Sequence, residues 1–119
     1  MISILVVDEE SRYRQRLAEE MSTEGYQVTT AGDTRRAKDL LNSRQWKLVL
    51  VNPYIKGNQG FDLLDQCGKD QSDPSVIVMV PQHAPKENWL SKADGFFLES
   101  ADWEGVKQAV SEIVSGGGI

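Results

Sequence analysis

Three short runs in this chain are apolar without interruption: Ile4-Leu-Val-Val7, Leu48-Val-Leu-Val51 and Val76-Ile-Val-Met-Val80. A strand with one wet face alternates apolar and polar side chains. A strand that is apolar at every position is buried on both faces, which is the mark of a parallel sheet covered by helices on each side. Two further runs, Gln27–Ala31 and Gly95–Leu98, complete a set of five strand candidates, with the three apolar ones taken as Ile2–Val7, Lys47–Val51 and Val76–Val80.

The segments between the strands change period. Ser11–Glu24 carries Tyr13, Leu17 and Met21 at four-residue spacing, and Thr34–Arg44 carries Ala37, Leu40 and Leu41. Gly60–Cys67 carries Phe61, Leu64 and Cys67, and Asp102–Val114 carries Val106, Ala109, Val110, Ile113 and Val114, with Ser100 or Asp102 as its N-cap. These are helical stripes. A fourth helix is expected around Pro85–Lys92, although it has little apolar periodicity. Five strand-then-helix repeats specify an α/β chain with right-handed crossovers and helices on both faces of a parallel sheet.

A chain of 119 residues, 39% hydrophobic, suits one core. The expected organisation is one domain over residues 1–115 and a flexible Gly-rich tail, or the start of a linker, over 116–119. A formal charge of -5 disfavours nucleic acid and anionic membrane as partners. No apolar run approaches the roughly 18–20 residues that span a bilayer. The single Cys67 has no internal disulfide partner, so it reads as a small core residue in a reducing cytoplasm.

In open α/β sheets chemistry gathers outside the carboxyl ends of the strands. Here the first strand ends in Asp8-Glu9-Glu10 and the third in Asn52. Two acids beside a carboxamide make a site that lacks its third carboxylate. No strand is followed by a Gly-rich phosphate loop, which argues against a mononucleotide site.

Four blocks of the sequence, Ile4-Leu-Val-Val-Asp-Glu-Glu10, Leu48 to Gly60, Val76 to Val80 and Ala93 to Ser100, resemble in order and spacing the receiver domain of bacterial response regulators, the CheY-like, flavodoxin-like fold. The resemblance covers about residues 2–114 and implies a strand order of 2-1-3-4-5. It also implies a phosphoacceptor Asp after the third strand, two Mg²⁺-holding acids after the first, a Thr or Ser ending the fourth and a Lys ending the fifth. On this chain the acids are present as Asp8 and Glu9. The acceptor position is Asn52, the hydroxyl position is read as Val80, the Lys position is Glu99, and Ser100 replaces the usual following Pro. Lys56 stands before Gly57 where the family has Pro.

Each replacement has a chemical consequence. A carboxamide forms no acyl phosphate. Asn52 is also not a latent Asp, because the following Pro53 has no N–H to attack its amide. Val80 has no hydroxyl, and Pro81 removes a backbone donor. Glu99 reverses a charge, and a unit charge at about 4 Å and an effective dielectric of about 20 is worth about 4 kcal/mol. The switch aromatic three positions before the Lys position is Phe96, expected to face Val80, and neither can hydrogen-bond. The span from Val80 to Glu99 is about three residues shorter than usual, nearly one helical turn.

The resemblance therefore points to a degenerate pseudo-receiver, not an enzyme: a phosphorylation-independent protein-interaction or regulatory module with an unidentified protein partner and a homodimer open. Trp89 and Trp103 are the candidate interface residues. One alternative is a divalent-metal or small-ligand sensor. Oxygen donors suit Mg²⁺ or Ca²⁺, so Asp8, Glu9 and Glu99 form a candidate weak metal site, with no cofactor otherwise expected. Another is an unorthodox phosphoacceptor, for which Asp62 and Asp65 are nearest. The basic residues Arg12, Arg14, Arg16, Arg35, Arg36 and Lys38 read as a solvated face, with Arg16–Glu20 at i,i+4. His83 reads as a solvated loop residue.

Overall fold

The computed structural model describes residues 1–55, 60–67, 74–81 and 92–116, with the Phe61 side chain outside that description. Lys56, Gly57, His83, Trp89, the helix expected around Pro85–Lys92 (all but Lys92) and the tail after Gly116 lie outside the described residues.

The elements run β1 (Ser3–Val7), α1 (Ser11–Thr23), β2 (Gln27–Ala31), α2 (Thr34–Ser43), β3 (Leu48–Val51), α3 (Gly60–Gln66), β4 (Ser75–Val80), β5 (Gly95–Leu98) and α4 (Trp103–Val114). The sheet order is β2-β1-β3-β4-β5. Every pairing is parallel, with Val7 opposite both Ala31 and Val51. The expected elements that fall on described residues agree to within a residue at each end.

Alternation sorts the strand residues onto two faces. Leu5, Val7, Val49, Val51, Val76, Val78 and Val80 pack with Ala37 of α2 and with Leu63 and Leu64 of α3. Ile4, Val6, Leu48, Leu50, Ile77, Met79 and Phe97 pack with Leu17 and Met21 of α1 and with Val106 and Val110 of α4. Cys67 is buried in the first of these layers, as a core thiol.

The helix ends are fixed by carboxylates. Asp33 accepts from the Arg36 N–H at 2.8 Å, and Asp102 from the Gly105 N–H at 2.7 Å. Glu10 caps α1 by accepting from the Arg12 and Tyr13 N–H groups at 3.2 and 2.6 Å. Asp102, not Ser100, is the cap of α4.

One close approach positions the site. A Cβ on Gly60 would lie 2.6 Å from the Pro53 Cα and 2.7 Å from the Asn52 carbonyl oxygen. The start of α3 therefore presses on the backbone that follows β3, and only glycine allows it. Gly60→Ala should force that backbone to move and cost about 1–3 kcal/mol, the usual penalty for overpacking. Urea unfolding of the two proteins measures it; an unchanged midpoint would mean that this contact does not hold Asn52 in place.

Candidate functional site

The carboxyl edge of the sheet brings Asp8, Asn52 and Glu99 together on the α1/α4 side. Asp8 N–H donates to the Ala31 carbonyl, Asn52 N–H to the Val7 carbonyl and Glu99 N–H to the Val80 carbonyl. Each residue thus extends its ladder by one step, and each falls on the alternating set that faces α1 and α4.

Asp8 is only 1% exposed. Its Oδ1 accepts from the Glu10 N–H at 3.0 Å. Its Oδ2 is buried and has no hydrogen-bond partner by distance and angle, although the Asn52 carboxamide is near enough to favour the charged form. Burial dominates all the same and raises the Asp8 carboxyl above its ordinary pKa.

Asn52 is oriented by two neighbours. Its Oδ1 accepts from the Tyr54 N–H at 2.9 Å, which leaves Nδ2 to face Glu99 Oε1 at 3.5 Å. Glu99 is half-buried, and its pKa is raised first by desolvation, then by the charges of Asp8 and Glu10.

Three participants were not legible as site residues. Glu10 reads as a rim acid but is the cap of α1, and its charge acts on both Asp8 and Glu99. Tyr13 reads as a core position, yet its hydroxyl is buried without a partner among the described residues. Its pKa is raised by burial and then by Glu99 and Asp8. Arg14 reads as part of a basic face, yet its Nη1 donates to the Asp8 carbonyl at 2.7 Å. The signal for Tyr13 and Arg14 was their place in the first turn of the helix that follows Asp8. Arg16 and Glu20 do pair, at 2.9 Å, as their spacing predicts.

Two placements correct the sequence reading. Val80 does not join the pocket: its side chain is 5% exposed and packed in the opposite layer, with Val76 and Val78. Alternation makes Pro81 the residue at the end of β4 that turns to the Asn52 side. Phe96 shares the face of Val80 but pairs with Val78, while Val80 is opposite Leu98. Phe96 is 51% exposed.

Trp103 is half-buried. Its ring stacks on Tyr13 with centroids 5.7 Å apart, and the Arg16 guanidinium lies 5.3 Å from its centroid. Asp62 and Asp65 sit exposed on α3, and Asp65 pairs with Lys92 at 2.6 Å.

The described acids do not by themselves make up a divalent-cation site. Among the described residues no group of three or more His, Cys, Asp or Glu side chains is spaced to hold a metal ion. Glu9 is exposed, and Asn52 offers Mg²⁺ a dipole whose oxygen already accepts from Tyr54. No helix of the described residues is long and apolar enough to cross a membrane.

A family model described as the response regulator receiver domain matches residues 4–94. The nitrate/nitrite response regulator protein NarP of Escherichia coli is 25% identical over 112 residues, which cover 90% of this chain and 52% of NarP. The chain thus spans about half the length of that relative. Among solved structures, the response regulator protein TrrA of Thermotoga maritima, in complex with Mg²⁺-BeF, superposes with a TM-score of 0.84 at 27% identity, covering 95% of this chain and 99% of TrrA. TrrA in complex with the histidine kinase ThkA gives a TM-score of 0.82 at 27% identity, covering 95% and 98%.

The raised carboxyls predict a pH dependence. A carboxyl whose pKa is higher in the folded than in the unfolded chain contributes stability below the unfolded value and loses it as pH rises through the folded one. Asp8 and Glu99 start from 3.8 and 4.5 and are both raised. Their contribution therefore falls from the ordinary carboxylate range upward. Glu20, lowered by Lys107 and Arg16, behaves oppositely and loses its contribution as pH drops below 4.5. Stability should then peak on the acid side of neutral. Glu99→Gln should flatten the decline as pH rises from the ordinary carboxylate range to neutral and raise the midpoint at neutral pH. Urea unfolding across that range measures both; a wild-type stability that climbs toward neutral pH contradicts the assignment.

Proposed function

This chain belongs to the response regulator receiver domain family, and from that premise we propose that it is a receiver that works without phosphorylation, as a protein-interaction or regulatory module in bacterial two-component signalling. The observation that carries this is the state of residue 52. The acceptor position holds a carboxamide whose oxygen is taken by the Tyr54 N–H and whose nitrogen faces Glu99. Neither atom is a nucleophile toward phosphorus.

The surroundings support the same reading. A phosphoryl group at residue 52 would meet Glu99, a carboxylate already destabilised by Asp8 and Glu10. At the end of β4 it would meet Pro81, which has neither a hydroxyl nor an N–H to give. The acid pair lacks the third carboxylate that would complete a magnesium site. Asp62 and Asp65 lie on α3 and show no link to Asp8.

Output then depends on protein contacts that need no phosphoryl signal. TrrA is seen bound to a histidine kinase, so a kinase-like or other signalling protein is the class of partner proposed here. Trp103 contributes to an interface only through its uncovered edge, since Tyr13 and Arg16 pack on it.

The test is labelling by acetyl phosphate with Mg²⁺, read by intact mass. The wild-type chain should gain no phosphoryl mass, and Asn52→Asp alone should gain little. The combination Asn52→Asp, Pro81→Thr, Glu99→Lys should take up at least about tenfold more label than the single variant, since one lost donor at a charge-developing oxygen costs that much or more. Placing Thr at Val80 instead of Pro81 should not help, because its side chain belongs to the other layer. Labelling of the wild-type chain, or equal labelling of the single and triple variants, overturns the proposal.

A further inference from the structure

The pocket buries more acceptors than the described residues satisfy. Asp8 Oδ2 and the Tyr13 hydroxyl are both buried without a hydrogen-bond partner. Among the described residues the Glu99 carboxylate has one hydrogen bond, from Asn52 at the 3.5 Å limit. Among the described residues no Lys or Arg forms an ion pair with Asp8 or Glu99. Arg14, whose charge acts on Asp8, gives its Nη1 to the Asp8 backbone carbonyl rather than to the carboxylate. An unpaired carboxylate oxygen removed from water is costly, and the cost is relieved by a cation that arrives with hydrogen-bond donors.

We propose that this pocket is a socket for an ammonium group, the tip of a lysine side chain presented by a protein partner. The inference rests on the reading that the pocket is not phosphorylated, and it names the chemistry of the partner. Three features select the occupant. Among the described residues no three His, Cys, Asp or Glu side chains are spaced for a metal ion, which needs several oxygens within about 2.0–2.6 Å of one point. An ammonium works at hydrogen-bond distance, about 2.7–2.9 Å. Its three donors match three acceptors: Asp8 Oδ2, a Tyr13 hydroxyl lone pair and Glu99. A guanidinium is a planar fork, which suits the two oxygens of a single carboxylate better than three converging groups.

Access runs past Glu99. Glu99 and Asn52 are half-buried, and Glu9 and Glu10 are exposed at the rim. Among the described residues, moving Glu99 aside breaks one hydrogen bond, the 3.5 Å contact to Asn52. The acidic rim draws a basic segment in, and the buried acceptors then discriminate lysine from a merely positive surface.

The probe is a tetralysine peptide, titrated against the ¹⁵N-labelled full chain without phosphodonor and followed at the Asn52 side-chain amide and the Trp103 indole. Both signals should shift and saturate. Glu99→Gln should weaken binding about tenfold or more, as loss of one partner of a buried charge pair does. Glu112→Gln, the same change of charge on the exposed face of α4, should leave it nearly unchanged, because exposed charges are screened. Glu99→Lys supplies its own ammonium and should abolish the response. Equal weakening by the Glu99 and Glu112 variants, equal binding of a fully acetylated tetralysine, wild-type binding by Glu99→Lys, or the same shifts with Mg²⁺ alone each overturn the socket. The phosphodonor assay is separate, so a chain that takes label yet binds lysine, or takes neither, shows which of the two readings failed.

Discussion

A carboxylate buried at the end of an apolar strand has to be answered, and in this chain most of the edge of the sheet is arranged around that need. Asp8 follows four fully buried residues of β1 and is itself 1% exposed. Its first answer is local: the chain turns so that the Glu10 N–H reaches Oδ1. The same turn places Glu10 as the cap of α1, so one short segment stabilises the acid and starts the helix. The second answer comes from α1, where Arg14 ties the Asp8 carbonyl down. The third is the Asn52 carboxamide from β3. None of these is a full countercharge, and the Asp8 pKa stays raised by burial.

That incomplete compensation spreads outward. Tyr13 brings a hydroxyl to the same buried region, and its ring carries Trp103 of α4. Below that stack Lys107 of α4 reaches Glu20 of α1 at 3.0 Å, while Arg16 holds the other oxygen of the same carboxylate. The α1/α4 contact is thus an aromatic pair at its pocket end and an ion-pair network further along. A change of charge at Asp8 or Glu99 is felt by Tyr13, and Tyr13 is one packed ring away from α4.

The layered architecture was legible because it depends on backbone-scale patterns. Uninterrupted apolar runs required burial on both faces, and helical spacing identified Leu17, Met21, Ala37, Val106 and Val110 as the covering residues. The site was legible only in part. Asp8, Asn52 and Glu99 fall at strand ends and could be placed by the resemblance. Val80 was misplaced by one residue, and one residue in a strand is a change of face. The strand's end can be read from its apolar run, but its parity against the neighbouring layers is fixed only by packing. Glu10, Tyr13 and Arg14 were missed for another reason: a helix start following a strand folds its first turn back over the strand's end. Cap and first-turn residues there are site residues by geometry, while their sequence signal is that of any amphipathic helix.

Residues 52 and 99 constrain one another through their contact. The Tyr54 N–H fixes an acceptor on one branch of residue 52. The other branch must then face residue 99. If residue 99 is a carboxylate, that branch has to be a donor, and a carboxamide provides one. An aspartate would point a second oxygen at Glu99, beside a buried Asp8, with like charges in a desolvated space. With lysine at 99 the requirement inverts, and an acid at 52 becomes the satisfied choice. Asn52 and Glu99 are therefore a matched pair, a donor facing a carboxylate. Changing either alone leaves a mismatched pair.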